Sequence, residues 1–389
     1  MKYVIYVGVC FMPDKNAAAH RARAFAKMIS ACGYKPVIVG MKNALCEEVI
    51  INTYEELDEA FVYSMKYPKS TREWIRALES IKGFEQVVTE LGESNIKAVI
   101  AMDYFSIALW KMMRYCKKHS IKFIVDTVDW FEKSNYSFPK NIIKDIDTKV
   151  RMSFLHKKSS NMITISKFLY DYYLPYVEKI VQIPGVMVSA EGREIVLSDY
   201  KKDDVLSLAF VGSPGNKCEK EKIDWLIKIV CKINEDKKRV VFHIAGISKE
   251  TLKVNRPELF EFENIESSVI FYGKITHDEC IKLIRKADFS VIIRENTLLS
   301  IAGFPTKLGE SFSCGTPVFV TPTSNISEYI PRTHGLIADS CNYESVEKKL
   351  YELVQMSEND IERMHEAVGK NNPLECSNFF EIMEEILEY

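Results

Sequence analysis

The chain has 389 residues, 47% hydrophobic and 27% charged, the composition of a soluble globular protein long enough for two domains of ordinary size. No apolar run approaches the roughly 20 residues that cross a bilayer, and the short apolar start runs into Pro13, Asp14 and Lys15 rather than a small-residue cleavage site. The net charge of −2 hides an asymmetry, since residues 1–185 hold 27 Lys and Arg against 20 Asp and Glu, and residues 186–389 hold 25 against 34. A basic first half suits an anionic neighbour such as a membrane surface or a phosphorylated acceptor. Nucleic acid fits poorly, for want of a strongly basic run or aromatic-basic interleaving. Ten scattered cysteines with no C-x-x-C pair read as free thiols in a reducing cytoplasm, and seven histidines show no metal-ligand spacing.

Lys2 to Val9 is a continuous apolar run, as in a strand buried on both faces of a parallel sheet. A loop with Pro13, Asp14 and Asn16, a helix over Ala17–Ala31 stopped at Gly33, and a strand over Pro36–Gly40 complete a βαβ opening. This predicts a doubly wound α/β domain with ligands at the carboxyl ends of its strands. His20, Arg21 and Arg23, near the start of the first crossover helix, lie where such ligands sit, although a plain surface role also fits each. Residues 53–93 read as helical and polar. Strands follow at Ala98–Met102, ending at Asp103, and at Lys122–Val125, ending at Asp126-Thr127-Val128-Asp129. Acidic residues just past strand ends face the ligand side, so Asp103, Asp126 and Asp129 are candidates for acceptor binding or general-base work, with helix capping as the alternative.

Trp110–His119 and Lys144–Lys158 mix apolar and basic residues at helical spacing, which suits either a solvated face or contact with anionic lipid. Strands at Met162–Ile165 and Ile180–Ile183 close the first domain, 1–185, and polar residues 186–205 read as a linker. The second domain, 206–372, restarts the pattern at Leu206–Val211. Gly212-Ser213-Pro214-Gly215-Asn216-Lys217 then forms a glycine turn whose amides can approach a phosphate, although it matches neither a P-loop nor G-x-G-x-x-G. A helix to about Ile233 and strands at Arg239–Ala245, Val269–Tyr272 and Asp288–Ile293 follow, the last leading to Arg294 and Glu295.

Ile301 to Thr321 carries the densest chemistry. Gly303 turns the chain, Pro305 suits the first helical position, about ten helix-compatible residues follow, and Gly315 stops the helix before a strand at Pro317–Thr321. Lys307 and Glu310, three apart, project from the first turns beside the positive end of the helix. A cation, a carboxylate and bare amides suit a nucleotide, the cation and amides for phosphate and Glu310 for ribose hydroxyls; an ordinary capped helix is the alternative. The final run, 373–389, contains an amphipathic helix over Phe379–Leu387 that can pack back across both domains.

The blocks F-V-G-S-P-G-N-K (210–217), V-I-F-Y-G-K-I (269–275), I-R-K-A-D-F-S-V-I-I-R-E (284–295), A-G-F-P-T-K-L-G-E-S-F-S-C-G-T-P-V (302–318) and T-S-N-I-S-E-Y-I (323–330) together resemble family-4 (group 1) glycosyltransferases. The resemblance implies the GT-B fold, two Rossmann-like α/β domains facing each other across a cleft. The first would bind the acceptor and the second the nucleotide-sugar donor, with the C-terminal helix packing back on the first. It implies that Glu310 binds the donor ribose. Gly212 and Lys217, or Lys220 in place of Lys217, would meet the diphosphate together with the amides around Phe304, Pro305, Thr306 and Lys307. Lys274 and Ile275 would flank the base, and Arg294 and Glu295 would contact diphosphate or sugar. Two positions depart from the family pattern: Ala302 stands where a leading Glu is usual, and Val128 where a His is common, so Glu295 is a candidate substitute carboxylate.

The resulting expectation is a retaining, nucleotide-sugar-dependent glycosyltransferase that uses no metal, because the one Asp-x-Asp triplet, Asp145 to Asp147, sits in a Lys-rich helical segment. Asp103, Asp129 and Glu295 are its catalytic candidates. Its acceptor would be a glycan or polyprenyl-linked chain of surface polysaccharide, met at the cytoplasmic membrane face. The alternatives are an epimerase or phosphorylase of similar architecture, or a GT-B protein that binds nucleotide or a partner without catalysis.

Overall fold

The computed structural model describes residues 1–12, 16–42, 49–53, 60–68, 70–130, 140–188 and 205–389. Pro13, Asp14 and most of the expected linker lie outside the described residues. The chain forms two compact units. Unit 1 comprises Met1–Val188, Ala302–Phe304 and Glu375–Tyr389, and unit 2 comprises Ser189–Ile301 and Pro305–Leu374.

Unit 1 is built on an eight-stranded sheet: β1 (Tyr3–Gly8), β2 (Lys35–Lys42), β3 (Val49–Thr53), β4 (Phe61–Lys66), β5 (Ile96–Met102), β6 (Lys122–Thr127), β7 (Asn161–Thr164) and β8 (Lys179–Gln182). Their order is β3-β4-β2-β1-β5-β6-β7-β8, and every pair is parallel except β3 with β4. The apolar Val4–Val7 run occupies the centre, where helices cover both faces and no polar side chain is tolerated without a partner. The Asn16 side chain caps helix 17–31 by accepting from the Ala19 amide, and Gly33, at φ +80°, lets the chain turn back into β2.

The helical reading of residues 53–93 fails over its first part. Phe61–Lys66 is a strand that pairs with β2 and carries the antiparallel β3 at the sheet edge. Its apolar start, F-V-Y, is short, and Ser64 and Lys66 interrupt the pattern that would mark a buried parallel strand. Among the described residues of this stretch, α-helices occupy 71–79, opened by a Ser70–Glu73 capping box, and 82–91.

Unit 2 holds β9 (Leu206–Val211), β10 (Val240–Ala245), β11 (Val269–Gly273), β12 (Phe289–Ile292), β13 (Val318–Val320) and β14 (Gly335–Ile337). All are parallel, in the order β11-β10-β9-β12-β13-β14. This is the 3-2-1-4-5-6 order of a dinucleotide-binding sheet, and its direction of winding reverses between β9 and β12. A crevice forms outside the strand ends at that reversal. The corresponding reversal in unit 1 lies between β1 and β5.

The C-terminal segment completes unit 1. Helix 380–388 buries Met383, Ile386 and Leu387 and packs against helix 17–31, each such side chain worth about 1.5–3 kcal/mol. Glu388 receives Lys97 at 2.9 Å and the Tyr34 hydroxyl, and the Cys376 amide donates to the Met187 carbonyl at 2.9 Å. The nine described cysteines are all free.

Candidate functional site

Three strands of unit 2 end in glycines with backbone in the left-handed half of conformational space: Gly212 at φ +127°, Gly246 at +112° and Gly273 at +65°. They are laced together. The Gly212 amide donates to the Ala245 carbonyl at 2.9 Å, and the Gly246 amide to the Gly273 carbonyl at 2.7 Å. A Cβ on Gly246 would fall 2.2 Å from the Gly212 carbonyl oxygen, and one on Gly212 would fall 2.7 Å from Lys307 Cε. The strand ends therefore present bare backbone beside a lysine.

That lysine belongs to a buried ion cluster. Glu221, fully buried, accepts three bonds on its Oε1: from Arg294 Nε at 2.9 Å, Arg294 Nη2 at 2.7 Å and Lys307 Nζ at 3.0 Å. Its Oε2 has no hydrogen-bond partner among the described residues. Burial alone would raise the Glu221 carboxyl, but Lys307 and Arg294 together hold it below its ordinary value. Lys307 also lies 4.1 Å from the centroid of the Phe210 ring. Burial, with Arg294 and Lys220 nearby, lowers the Lys307 ammonium to about 8 despite the pull of Glu221. The Arg294 backbone is fixed in turn, its amide donating to Thr321 Oγ1 at 2.8 Å.

Helix 306–313 starts one residue later than expected: Pro305 is the N-cap, at φ −73° and ψ 111°, and Thr306 is the first helical residue. A proline cap offers no side-chain acceptor, so no cap bond closes the first-turn amides. Gly315, at φ +74°, ends the helix as expected, its amide donating to Phe312. Lys307 and Glu310 serve different neighbours. Lys307 joins Glu221, whereas Glu310 lies close enough to Cys280 and Cys314 that its charge helps burial raise both thiols. Lys274 and Ile275 connect β11 to helix 277–286, which carries Cys280.

Phe304 is buried and groups with unit 1. Lys217 and Lys220 are exposed, and Lys220 lies near enough to Lys307 to lower its ammonium. Glu295 receives Lys222 Nζ at 2.7 Å and is not brought onto the Glu221 cluster.

In unit 1 Asp103 follows β5 with φ +40°, a conformation that costs an L-residue about 1–3 kcal/mol and collects at functional sites. The Val128 amide reaches its Oδ2 at 3.4 Å, Arg151 donates to its carbonyl at 2.6 Å, and its Oδ1 has no partner among the described residues. Burial, opposed by Arg151 and reinforced by Asp129 and Asp126, pushes its carboxyl up to about 7. Asp103 and Asp129 thus lie within electrostatic reach of each other in unit 1.

Asp126 is not free for acceptor chemistry. It is fully buried and takes Arg21 Nε at 2.8 Å, Arg21 Nη2 at 2.7 Å and the Tyr6 hydroxyl at 2.8 Å. Arg21, expected near ligand, spends its remaining donor on the carbonyls of Ile183 and Pro184, at 3.1 and 2.7 Å. Sequence reading missed Glu221 and Arg151, both defined by partners distant in the chain. Among the described residues no three metal-binding side chains converge.

Residues 200–372 match the family of glycosyl transferases group 1. No curated protein matches the chain by sequence. Among solved structures, sucrose-phosphate synthase from Thermosynechococcus elongatus is similar over 100% of this chain and 98% of its own, with TM-score 0.68 and 12% identity. The catalytic domain of starch synthase IV from Arabidopsis thaliana, bound to ADP and acarbose, is similar over 100% of both chains, with TM-score 0.68 and 9% identity. A lipopolysaccharide outer-core galactosyltransferase is similar over 98% of this chain and 99% of its own, with TM-score 0.60 and 12% identity. With two parallel-sheet α/β units and strand-end glycines above a cationic cluster, the chain has the GT-B fold, and its residues 200–372 match a group 1 glycosyl transferase domain.

Proposed function

We propose that the protein transfers a sugar from a nucleoside-diphosphate sugar to a glycan or polyprenyl-linked acceptor of surface polysaccharide, with retention and without metal, at the inner face of the cell membrane. The carrying observation is the pair Arg294 and Lys307 gathered on buried Glu221 beside the bare turn at Gly212. Sugar transfer requires stabilisation of a departing diphosphate, and preoriented cations with helix amides supply it without reorganisation. In this reading Arg294, Lys307, Lys220 and the amides of 304–307 hold the diphosphate. Glu310 takes the ribose, Lys274 and Ile275 flank the base, and Asp103 with Asp129 serves the acceptor. The ADP held by the starch synthase structure supports a nucleotide in this kind of fold, and the outer-core galactosyltransferase supports a glycan acceptor. Fixed cations where a diphosphate would lie support metal independence.

Ala302 favours a second reading, a nucleotide-binding protein without transferase activity, because it places a buried methyl where a sugar-contacting carboxylate is usual. Calorimetric titration with UDP, GDP, ADP and their sugar conjugates, with and without EDTA, tests the donor site. One diphosphate binding equally in both conditions supports it, and no binding by any of them removes it. Donor consumption that requires a glycan acceptor then separates transferase from inactive binder.

A further inference from the structure

The helix at 140–150, with the turns at 151–155 and 156–158 that continue it, buries Met152 and Leu155 yet turns a second apolar row to solvent. Polar side chains point inward: Asp147, Thr148 and Arg151 are buried. Asp147 Oδ1 accepts from the Ser106 amide at 2.8 Å, and Arg151 Nη1 donates to the carbonyls of Asp103 and Tyr104 at 2.6 and 3.4 Å. Apolar side chains point outward at a spacing of four: Ile142 is 47% exposed, Ile146 58%, Val150 41% and Phe154 53%. The neighbouring helix 106–118 buries Leu109, Met112 and Cys116 in the same core and exposes Ile107 and Trp110. Soluble surfaces seldom gather six large apolar side chains on one side of a sheet without a partner.

The cations around this row are placed as at a bilayer interface. Lys158 Nζ lies 3.9 Å above the Phe154 ring and the Arg114 guanidinium 4.9 Å from the Trp110 ring, while Lys117, Lys118 and Lys149 are exposed. Segments 106–118 and 140–158 contain ten Lys and Arg against two Asp, one of which, Asp147, is buried as a helix cap. An apolar row with aromatic-stacked cations fits the boundary between acyl chains and anionic headgroups. A two-fold pairing of copies through this face would set like charge against like, and a nucleic acid would leave the aliphatic row unused.

We propose that the face formed by helix 106–118 and residues 140–158 docks the protein on an anionic lipid bilayer, with Ile142, Ile146, Val150, Phe154 and Trp110 entering the acyl boundary. The inference rests on the reading of a membrane-face acceptor and names the surface that would hold the enzyme there. The test is co-sedimentation of the full chain with phosphatidylcholine vesicles made with and without phosphatidylserine. Binding only to the anionic vesicles, falling at least about tenfold in Ile146→Glu/Phe154→Glu and in Lys149→Glu/Lys158→Glu with unchanged unfolding midpoints, is the expected result. Failure of the native chain to bind, or equal binding by the Ile146→Glu/Phe154→Glu variant, overturns the proposal. So does a lipid-free dimer that this variant dissolves, which would assign the face to a second copy. Vesicle binding together with indifference to every nucleoside diphosphate would leave the surface standing and remove the enzymatic reading instead.

Discussion

Asp126 in unit 1 and Glu221 in unit 2 are both buried in the grip of an arginine, and the two clusters are finished differently. In unit 1 both oxygens of Asp126 are taken, by Arg21 and Tyr6, and Arg21 spends what remains on two backbone carbonyls. That cluster pins helix 17–31 to β1, β6 and the chain after β8. In unit 2 Glu221 concentrates three donors on one oxygen, and a bare glycine turn lies directly above Lys307. A closed cluster contributes to folding, whereas one with cations beside open backbone holds charge ready for an incoming anion.

The contrast can be broken most forcefully at the closed end. Arg21→Met leaves the Asp126 charge buried with only Tyr6 as partner, and should cost about 3–5 kcal/mol in denaturant unfolding with nucleoside diphosphate affinity unchanged. Lys307→Ala should act the other way. Arg294 still neutralises Glu221, so stability changes little, while diphosphate affinity measured by calorimetry falls by about 2–3 kcal/mol, the worth of a charged hydrogen bond. Gly212→Ala should cost about 2 kcal/mol of both stability and affinity, because the added methyl meets Lys307 Cε in a backbone conformation that L-residues resist. Glu310→Ala, at a carboxylate that neighbours Cys280 and Cys314 rather than joining the cluster, should weaken sugar-nucleotide binding about tenfold while leaving inorganic pyrophosphate binding untouched.

The smallest effect is in pH. Asp103 must lose its proton, near pH 7, to accept one from an acceptor, and Lys307 must keep its proton, up to about pH 8, to hold diphosphate. The turnover profile should be a narrow bell, and Asp103→Asn should lower turnover by about 10²–10⁴-fold and flatten the acid limb of what remains. For stability the signs follow from linkage. The folded form retains the Asp103 proton that the unfolded chain releases, so stability falls from about pH 4 to 7 and is level above. Folded Lys307 releases its proton early, so stability rises from about pH 8 to 10.5. A pH series of unfolding midpoints for the native chain and the Asp103→Asn variant checks both directions.

Much of the architecture was legible because its signals are local. Apolar runs marked the central strands, Gly212 and Gly315 each declare a backbone geometry that few other residues adopt, and Pro305 marks a helix start. The edge hairpin was not legible, since its residues are apolar only in part and their strand character comes from pairing, β4 with β2 and β3 with β4. Glu221 was invisible for a different reason. It sits in a run of charged residues that reads as a solvated loop, and only Arg294 and Lys307, 73 and 86 positions later, turn it into a buried centre. Asp126 erred in the opposite direction: its place after a strand resembles that of Asp103, and only the arrival of Arg21 closes it off.

The return of residues 375–389 to unit 1 has a consequence during synthesis. Helix 17–31 and the edge of Cys32 face a seat that stays empty until Met383, Ile386 and Leu387 have been translated. At about 5–20 residues per second, the roughly 190 residues between Val188 and that segment take on the order of 10–40 s to emerge. Unit 1, although begun first, exposes an apolar flank throughout the synthesis of unit 2. The two units therefore reach completion almost together, and a ribosome stalled near residue 374 would display that flank to chaperones.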